Sequence, residues 1–485
     1  MDTKRNIVTD TTWLPTLSDG VRPKFRALAS AIRDAARSGE LPPGTRLPPV
    51  RDLAWRLGIT PGTVARAYQI AAAEGLVDSH VGRGSFIAPP RPLIGPLKPM
   101  LTDRIDTPAL GPGPVDLRIP QLPDCGQTTA IAAAMTRAAA RLGDEVLDYP
   151  SLTRDRACRQ ALADWLAPRH LGPFGPEDLV LTHGGQNAIL TVLALCLAGQ
   201  RPRVLCESLA YPGLRHAARL LRAEIAPVAL DDQGMIPADL DRAAAATGAR
   251  LVCVTPSAQN PTVARMGAAR RRELIEIARR HDLQILEDEC FPGPLTPSGD
   301  AALRALAPER VWHVSSLSKI LSAGLRFGWI VCPQGMGGAG RLAAQHGDFG
   351  LSLPLVGLVS ELIASGAASG LARQVQAVFD DRVRLARGVL AGLDVTTQPG
   401  VPFLWLRLPQ GWRASTFATR AAESGVLVRS ADEFSAIAER GGAAPHGLPN
   451  AVRIALPCKL DPGRLAGALS TLARLYDAPP GDLPV

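Results

Sequence analysis

What is missing from this sequence narrows it before any motif is considered. There is no C-x-x-C pair among the eight cysteines, Cys125, Cys158, Cys196, Cys206, Cys253, Cys290, Cys332 and Cys458. They are scattered, several within apolar segments, so reduced core thiols are expected; neither a disulfide framework nor a zinc or other metal site is indicated. Long apolar runs are also missing. The longest of note, AILTVLALCLA (Ala188 to Ala198), is too short to span a bilayer and reads as a buried helix, so no membrane partner is expected. The N-terminal MDTKRNIVTDTTW is polar throughout, lacking the basic start, apolar run and small-residue cleavage site of a secretory leader. A cytoplasmic location is the expectation.

What is present is a globular composition. The hydrophobic fraction is 46% over 485 residues, enough for a large core and too long for one ordinary domain. The net charge of +8 is unevenly placed, since residues 1–100 hold 14 Lys and Arg against 8 Asp and Glu. A basic surplus confined to the N-terminal fifth points to an anionic partner for that part, although a merely soluble basic surface would read the same way on charge alone.

From Val21 to Ala88 the pattern predicts three short helices and a hairpin. Phe25, Leu28, Ala29, Ile32 and Ala36 recur at helical spacing and the first helix stops at Gly39. LPPGTRLP (Leu41 to Pro48) is a rigid turn. A helix from Val50 to Leu57 and another after Thr60, with Pro61 in its first turn, are separated by Gly-Ile-Thr, a helix-turn-helix spacing. LVDSHVGRGSFIA then places two β-prone pieces around a Gly-Arg-Gly turn, a winged hairpin with an arginine at its tip. The string L-x-P-G-x-R-L-P-x-x-R-x-L-A-x-x-L-G, followed by T-V-x-R-A-Y and G-R-G-S-F, resembles the winged helix-turn-helix of the GntR regulators. The resemblance implies double-stranded operator DNA as a partner, with Arg46, Arg51, Thr63, Arg66 and Arg83 as contacts and the third helix in the major groove. Pro61 departs from the common family pattern, in which an arginine follows the turn serine, which places direct base reading at that position in doubt.

Residues 89–115 are proline-rich and read as a semi-rigid linker. Beyond them helical and strand-like segments alternate: strands at LVLTHGG, RVLCE, RLVCVTP, LQILEDE, VWHV and FGWIV are separated by helical stretches such as Arg154 to Leu166 and Ala268 to His281. Alternation of this kind predicts a mostly parallel doubly wound sheet with ligands at the carboxyl ends of its strands. Between two such strands lies SSLSKILSAGLR (Ser315 to Arg326). A lysine there can form a Schiff base with an aldehyde cofactor, and nearby hydroxyls and a guanidinium can hold a phosphate.

Read together, these strand ends resemble the large domain of the fold type I pyridoxal 5′-phosphate (PLP) enzymes of the aspartate aminotransferase class. The resemblance implies PLP as cofactor, joined to Lys319. Gly184, Gly185, Gln186 and a further Asn187 would take its phosphate at a helix N-terminus with Ser316, Ser318 and Arg326. Tyr211 would stack on the ring, Asn260 would bond its phenolic oxygen, and Asp288 would pair with its nitrogen. Arg453, opening the strand NAVRIAL, would clamp an effector carboxylate. Related fusion proteins carry a tyrosine two residues after the aspartate; here Cys290 stands in its place, a poor substitute as a donor, which places efficient transamination in doubt.

A GntR-like head (21–88), a linker (89–115) and an aminotransferase-like effector and dimerisation domain (116–485) resemble the MocR group of bacterial transcription regulators. The implied fold is an α+β winged helix-turn-helix joined to a large α/β fold type I domain with a mostly parallel sheet and a smaller C-terminal α/β subdomain. The implied behaviour is a homodimer that binds DNA according to PLP, or an amino acid–PLP adduct, and controls vitamin B6 or amino-acid genes. Two other readings stay open: an active aminotransferase carrying a DNA-binding head, and a degenerate domain used only for dimerisation.

Overall fold

The structure is a computed structural model, and it describes residues 13–15, 23–73, 76–80, 84–88, 113–199, 202–289, 291, 300–436 and 448–478. These fall into two compact units divided as Met1–Thr102 and Asp103–Val485. Most of the proline-rich linker, the wing-tip Arg83 and Cys290 lie outside the described residues.

In the N-terminal unit, helix α1 (Lys24–Ser38) ends at Gly39, whose φ of 81° continues the chain in the left-handed region. Helix α2 (Val50–Leu57) ends the same way at Gly58, whose N–H returns to the carbonyls of Ala54 and Trp55. Helix α3 (Pro61–Ala73) opens with proline, which needs no N–H at that position, and Thr60 Oγ1 accepts the N–H of Thr63 at 3.3 Å. Leu28 and Ile32 of α1, Leu53 and Ala54 of α2, and Val64, Ala67 and Ala71 of α3 are spaced along one face of each helix and are all buried in one core. Strands β1 (Val77–His80) and β2 (Gly84–Ile87) pair antiparallel as the wing. The hydroxyl of buried Tyr68 donates to Pro48 O at 2.8 Å, tying the proline turn to α3.

The C-terminal unit is built on a seven-stranded sheet. Its strands are β3 (Leu179–Thr182), β4 (Arg203–Glu207), β5 (Glu224–Val228), β6 (Leu251–Val254), β7 (Gln284–Asp288), β8 (Val311–Ser316) and β9 (Gly328–Val331), in the order β3-β9-β8-β7-β6-β4-β5. Strand β9 runs antiparallel to both neighbours, and the remaining pairings are parallel. Apolar side chains on both faces of β3, β6 and β8 are buried beneath covering helices, as a near-continuous Val/Leu/Ile run requires. The carboxyl ends of the parallel strands therefore open on one edge.

A smaller sheet follows, with β10 (Val395–Thr396), β11 (Phe403–Arg407), β12 (Arg429–Ser430) and β13 (Ala451–Ala455) in the order β10-β11-β13-β12. The period of two along β13 sends Val452 and Ile454 into a core with Phe417, Leu465 and Leu469. Ala451 and Ala455 face the other way, into a cluster with Phe403, Phe434, Leu209 and Ala258, which belong in part to the strand ends of the large sheet. Arg453 shares that second face. At the start of the unit, Val115–Asp116 pairs in parallel with Val426–Leu427, and Ala455 donates its N–H to Leu117 O at 2.8 Å.

Candidate functional site

The end of β3 turns sharply at Gly184, with φ 84° and ψ 172°, and helix Gly185–Cys196 begins at once. Such a backbone is open essentially to glycine alone. It leaves the first amides of the helix facing outward, a ready anion site. Arg326, from the loop before β9, donates through Nη2 to His183 O at 3.2 Å. A Cβ built on Gly184 would stand 2.7 Å from that same Nη2, so Gly184 and Arg326 are in direct contact. Gly328 also has to be small, because a Cβ there would lie 2.7 Å from Gly184 C.

Gln186 donates from Nε2 to Gly213 O at 2.9 Å, and a Cβ on Gly213 would collide with both Gln186 Oε1 and the Tyr211 ring. The Tyr-Pro-Gly turn after β4 is thus packed against the helix that Gly185 opens. Asn187 has a different job from the further phosphate ligand expected of it. Its Oδ1 accepts His183 N–H and its Nδ2 donates to Asp348, both at 3.1 Å, so the amide holds the turn.

At the end of β8, buried Ser316 caps a single 3₁₀ turn, Leu317–Lys319, by accepting the N–H of Ser318 at 3.3 Å. Ser318 Oγ and Gln186 Oε1 are buried and have no hydrogen-bond partner among the described residues. Buried polar atoms in that state are uncommon and mark places where a ligand can complete the bonding. The Lys319 Nζ lies 5.9 Å from the Phe291 ring centroid. Asp288, buried, is the last residue of β7, in the strand beside β8.

The smaller sheet delivers the remaining predicted residues. Arg453 is 6% exposed; its Nη1 donates to Asn260 Oδ1 at 2.8 Å and its Nη2 to Arg118 O at 2.6 Å. The guanidinium carbon sits 5.3 Å from the Phe403 ring centroid and 4.8 Å from that of Phe434. Burial, aided by the charge of Arg429, pushes the Arg453 guanidinium down to about 9. Its Nε is buried without a partner, and no carboxylate among the described residues forms an ion pair with it. A buried cation is costly unless an anion or several strong acceptors join it. The Phe291 and Phe403 rings meet edge to face at 5.1 Å, which links the surroundings of Lys319 to those of Arg453.

The donor set at the strand ends therefore suits a phosphorylated pyridine aldehyde: a helix N-terminus with an arginine for phosphate, a lysine, a buried carboxylate, and an amide. Among the described residues, no group of three or more His, Cys, Asp and Glu could hold a metal.

In the N-terminal unit, Arg51 is exposed on α2 and Arg66 on α3, with the Arg66 guanidinium 4.5 Å above the Phe25 ring. Arg46 is half-buried against the wing, where a Cβ on Gly84 would be 2.9 Å from its Nε. The Thr63 hydroxyl lies 2.9 Å from Thr60 Oγ1 at the head of α3. Two further features of the sequence bear on these sites. Trp55 is 86% exposed one helical turn beyond Arg51, and its place on the polar side of α2 marked it. Lys319 is also the only lysine between Lys98 and Lys459.

The description "Aminotransferase class I and II" matches residues 113–472, and "Bacterial regulatory proteins, gntR family" matches residues 25–87. The chain belongs to the class I and II aminotransferase family, in the MocR-type fusion with a gntR head. Across this MocR-type chain, similarity extends to whole regulators. The pyridoxine biosynthesis transcriptional regulator PdxR of Corynebacterium glutamicum is 30% identical over 72% of this chain and 73% of its own length. The probable rhizopine catabolism regulatory protein MocR of Rhizobium meliloti is 28% identical over 84% of each. Among solved structures, the α-aminoadipate aminotransferase LysN of Thermus thermophilus superposes with a TM-score of 0.65 at 24% identity, covering 76% of this chain and 92% of that one. That likeness establishes the fold type I architecture. The aminotransferase class I and II domain is PLP-dependent. Among the described residues of the MocR-type chain, no single helix is long and apolar enough to cross a membrane.

Proposed function

We propose that the chain is a transcription regulator whose C-terminal unit holds PLP, or PLP joined to an amino acid, and whose DNA affinity depends on that occupancy. When bound, PLP supplies an aldehyde carbon and an electron-withdrawing ring. Lys319 offers the amine for the aldehyde. The amides of Gly185 and Gln186, the hydroxyls of Ser316 and Ser318, and Arg326 bind the phosphate, while Gly184, expected as a further ligand, gives its own N–H to Thr182 O at 2.7 Å and supplies the turn. Asp288 holds the proton on the ring nitrogen, Asn260 donates to the ring oxygen, and the Tyr211 ring covers one face. Arg453 then takes a carboxylate, the anion its buried charge lacks.

The observation that carries this reading is the convergence of Lys319, the unpartnered Ser318 hydroxyl and the Arg326–Gly184 contact at one sheet edge, in a chain that also has a gntR unit. In the N-terminal unit, Arg46, Arg51, Thr63 and Arg66 are the proposed contacts to operator DNA. A homodimer is the proposed assembly. Leu147, Tyr149 and Phe349 are 84%, 77% and 59% exposed, and the rings of the last two stack at 5.1 Å, an apolar strip suited to a second copy.

Linkage gives the physical account: if PLP binds one conformation more tightly, DNA affinity shifts by the same coupling energy, typically about 1–3 kcal/mol or 5- to 150-fold. Lys319→Ala tests it. We expect loss of the PLP absorbance band and loss of PLP-dependent binding to the upstream region at one fixed salt concentration. If both survive in K319A, the reading is wrong. Repeated turnover of amino acid and keto acid by the wild type would favour the aminotransferase alternative.

A further inference from the structure

A buried chain of hydrogen bonds lies behind the turn that bears Asn260. Glu207 closes β4 at 2% exposure, and its Oε2 accepts Gln259 Nε2 at 3.1 Å. Gln259 is fully buried and its Nε2 also donates to Leu209 O at 2.7 Å. Its Oε1 accepts the backbone N–H of Thr262 at 2.9 Å and the Thr262 hydroxyl at 2.8 Å. A primary amide has two donors and two acceptor lone pairs, and all four are in use. Gln259 cannot turn over without stranding buried polar atoms, at about 1–3 kcal/mol each. Asn260 is held between the residues at the two ends of this clamp. Its Oδ1 is taken by Arg453, which leaves Nδ2 as the donor it can present to a ligand.

We propose that Glu207 is a positioning residue: through Gln259 and Thr262 it orients the Asn260 amide between Arg453 and the cofactor ring. The inference rests on the PLP reading above. No strand pairing does this work, because the residues from Pro256 onward lie beyond the end of β6, and the side-chain link from neighbouring β4 replaces the lost ladder. Burial, with the Asp288 charge adding to it, pushes the Glu207 carboxyl up to about 8. A neutral carboxyl is closely imitated by an amide, so Glu207→Gln keeps the clamp and Glu207→Ala removes it.

The test is a double-mutant cycle in the full-length, PLP-loaded protein. Glu207→Ala, Asn260→Ala and the double variant are compared by PLP Kd and by the pH midpoint of the PLP absorbance band. We expect E207A and N260A each to raise Kd about tenfold and to move the midpoint the same way. The double variant should go no further than N260A alone, and E207Q should restore the wild-type midpoint. Full additivity, or a wild-type midpoint in E207A, overturns the inference. If E207A does not fold, Gln259→Met takes its place, and a wild-type midpoint there overturns the inference equally. A wild type that takes up no PLP overturns the cofactor reading and this inference with it.

Discussion

Replacing Gly184 with alanine tests the candidate phosphate site through backbone geometry alone. At φ 84° and ψ 172° an L-residue is strained by about 1–3 kcal/mol. The added methyl would also stand 2.7 Å from Arg326 Nη2 and 3.0 Å from its Cζ, so the guanidinium must move from the mouth of the helix. Two states then share the penalty. PLP-free protein can relax the turn, whereas PLP-bound protein has to restore it to present the amides. The strain avoided in the free state reappears as weakened binding, and 1.4 kcal/mol is tenfold in Kd. We expect G184A to raise the PLP Kd by roughly 5- to 150-fold, measured by absorbance titration, with the PLP-saturated protein less stable to denaturant than wild type by about 1–3 kcal/mol. Gly366→Ala is the control: φ there is 74°, but no atom lies within 4 Å of the new methyl, so stability should fall without a change in PLP Kd. G184A with wild-type Kd and a stability change under about 0.5 kcal/mol would refute the argument.

Three further outcomes are expected. Arg51→Ala and Arg66→Ala should each weaken binding to all DNA sequences and lower the slope of log K against log salt by about 1 if they meet phosphate, whereas loss of sequence preference at constant slope would assign them to bases. If the proposed homodimer forms through the Leu147–Tyr149–Phe349 strip, Leu147→Asp should sediment as a monomer where wild type sediments as a dimer, and an equal mass for the two would refute that interface. Glu207 bears on pH: its folded-state affinity for protons is raised above the unfolded value of 4.5, to about 8, so its favourable contribution is complete below pH 4.5 and is lost as pH rises to 8. The unfolding free energy of E207Q should therefore gain on wild type between pH 5 and 8 and level off above; a constant difference across that range would show that Glu207 does not titrate there.

Those parts of the fold governed by short-range rules were legible in the sequence. Helix stops at Gly39 and Gly58, the proline at the head of α3, and apolar strands ending in polar residues all followed from local chemistry, and each appears in the structure. The antiparallel sense of β9 was not legible, because FGWIV reads as a buried strand in either direction. Asn187 shows a different limit. Its place beside Gly185 and Gln186 suggested a ligand, but a long-range partner, Asp348, claims its amide, and nothing near it in sequence foretells that. Arg453 was expected to open its strand, where it could have been a surface residue; it is instead the middle residue of β13, and the strand's alternation and the aromatic cluster around it bury it beside Asn260. The clamp on Asn260 was equally hidden, since Glu207 and Gln259 are far apart in the chain and meet only when β4 and β6 become neighbours.

The contact between Arg453 and Arg118 has a mechanical side. Arg118 lies two residues beyond the Val115–Asp116 strand, the first strand of the C-terminal unit. Its carbonyl and any incoming carboxylate would compete for one guanidinium, and an anion is the stronger acceptor. Arg118 is braced independently, by its ion pair to Asp116 and by the bonds of neighbouring Leu117 to Leu427 and Ala455, so release of its carbonyl would cost the segment one hydrogen bond and leave the strand paired.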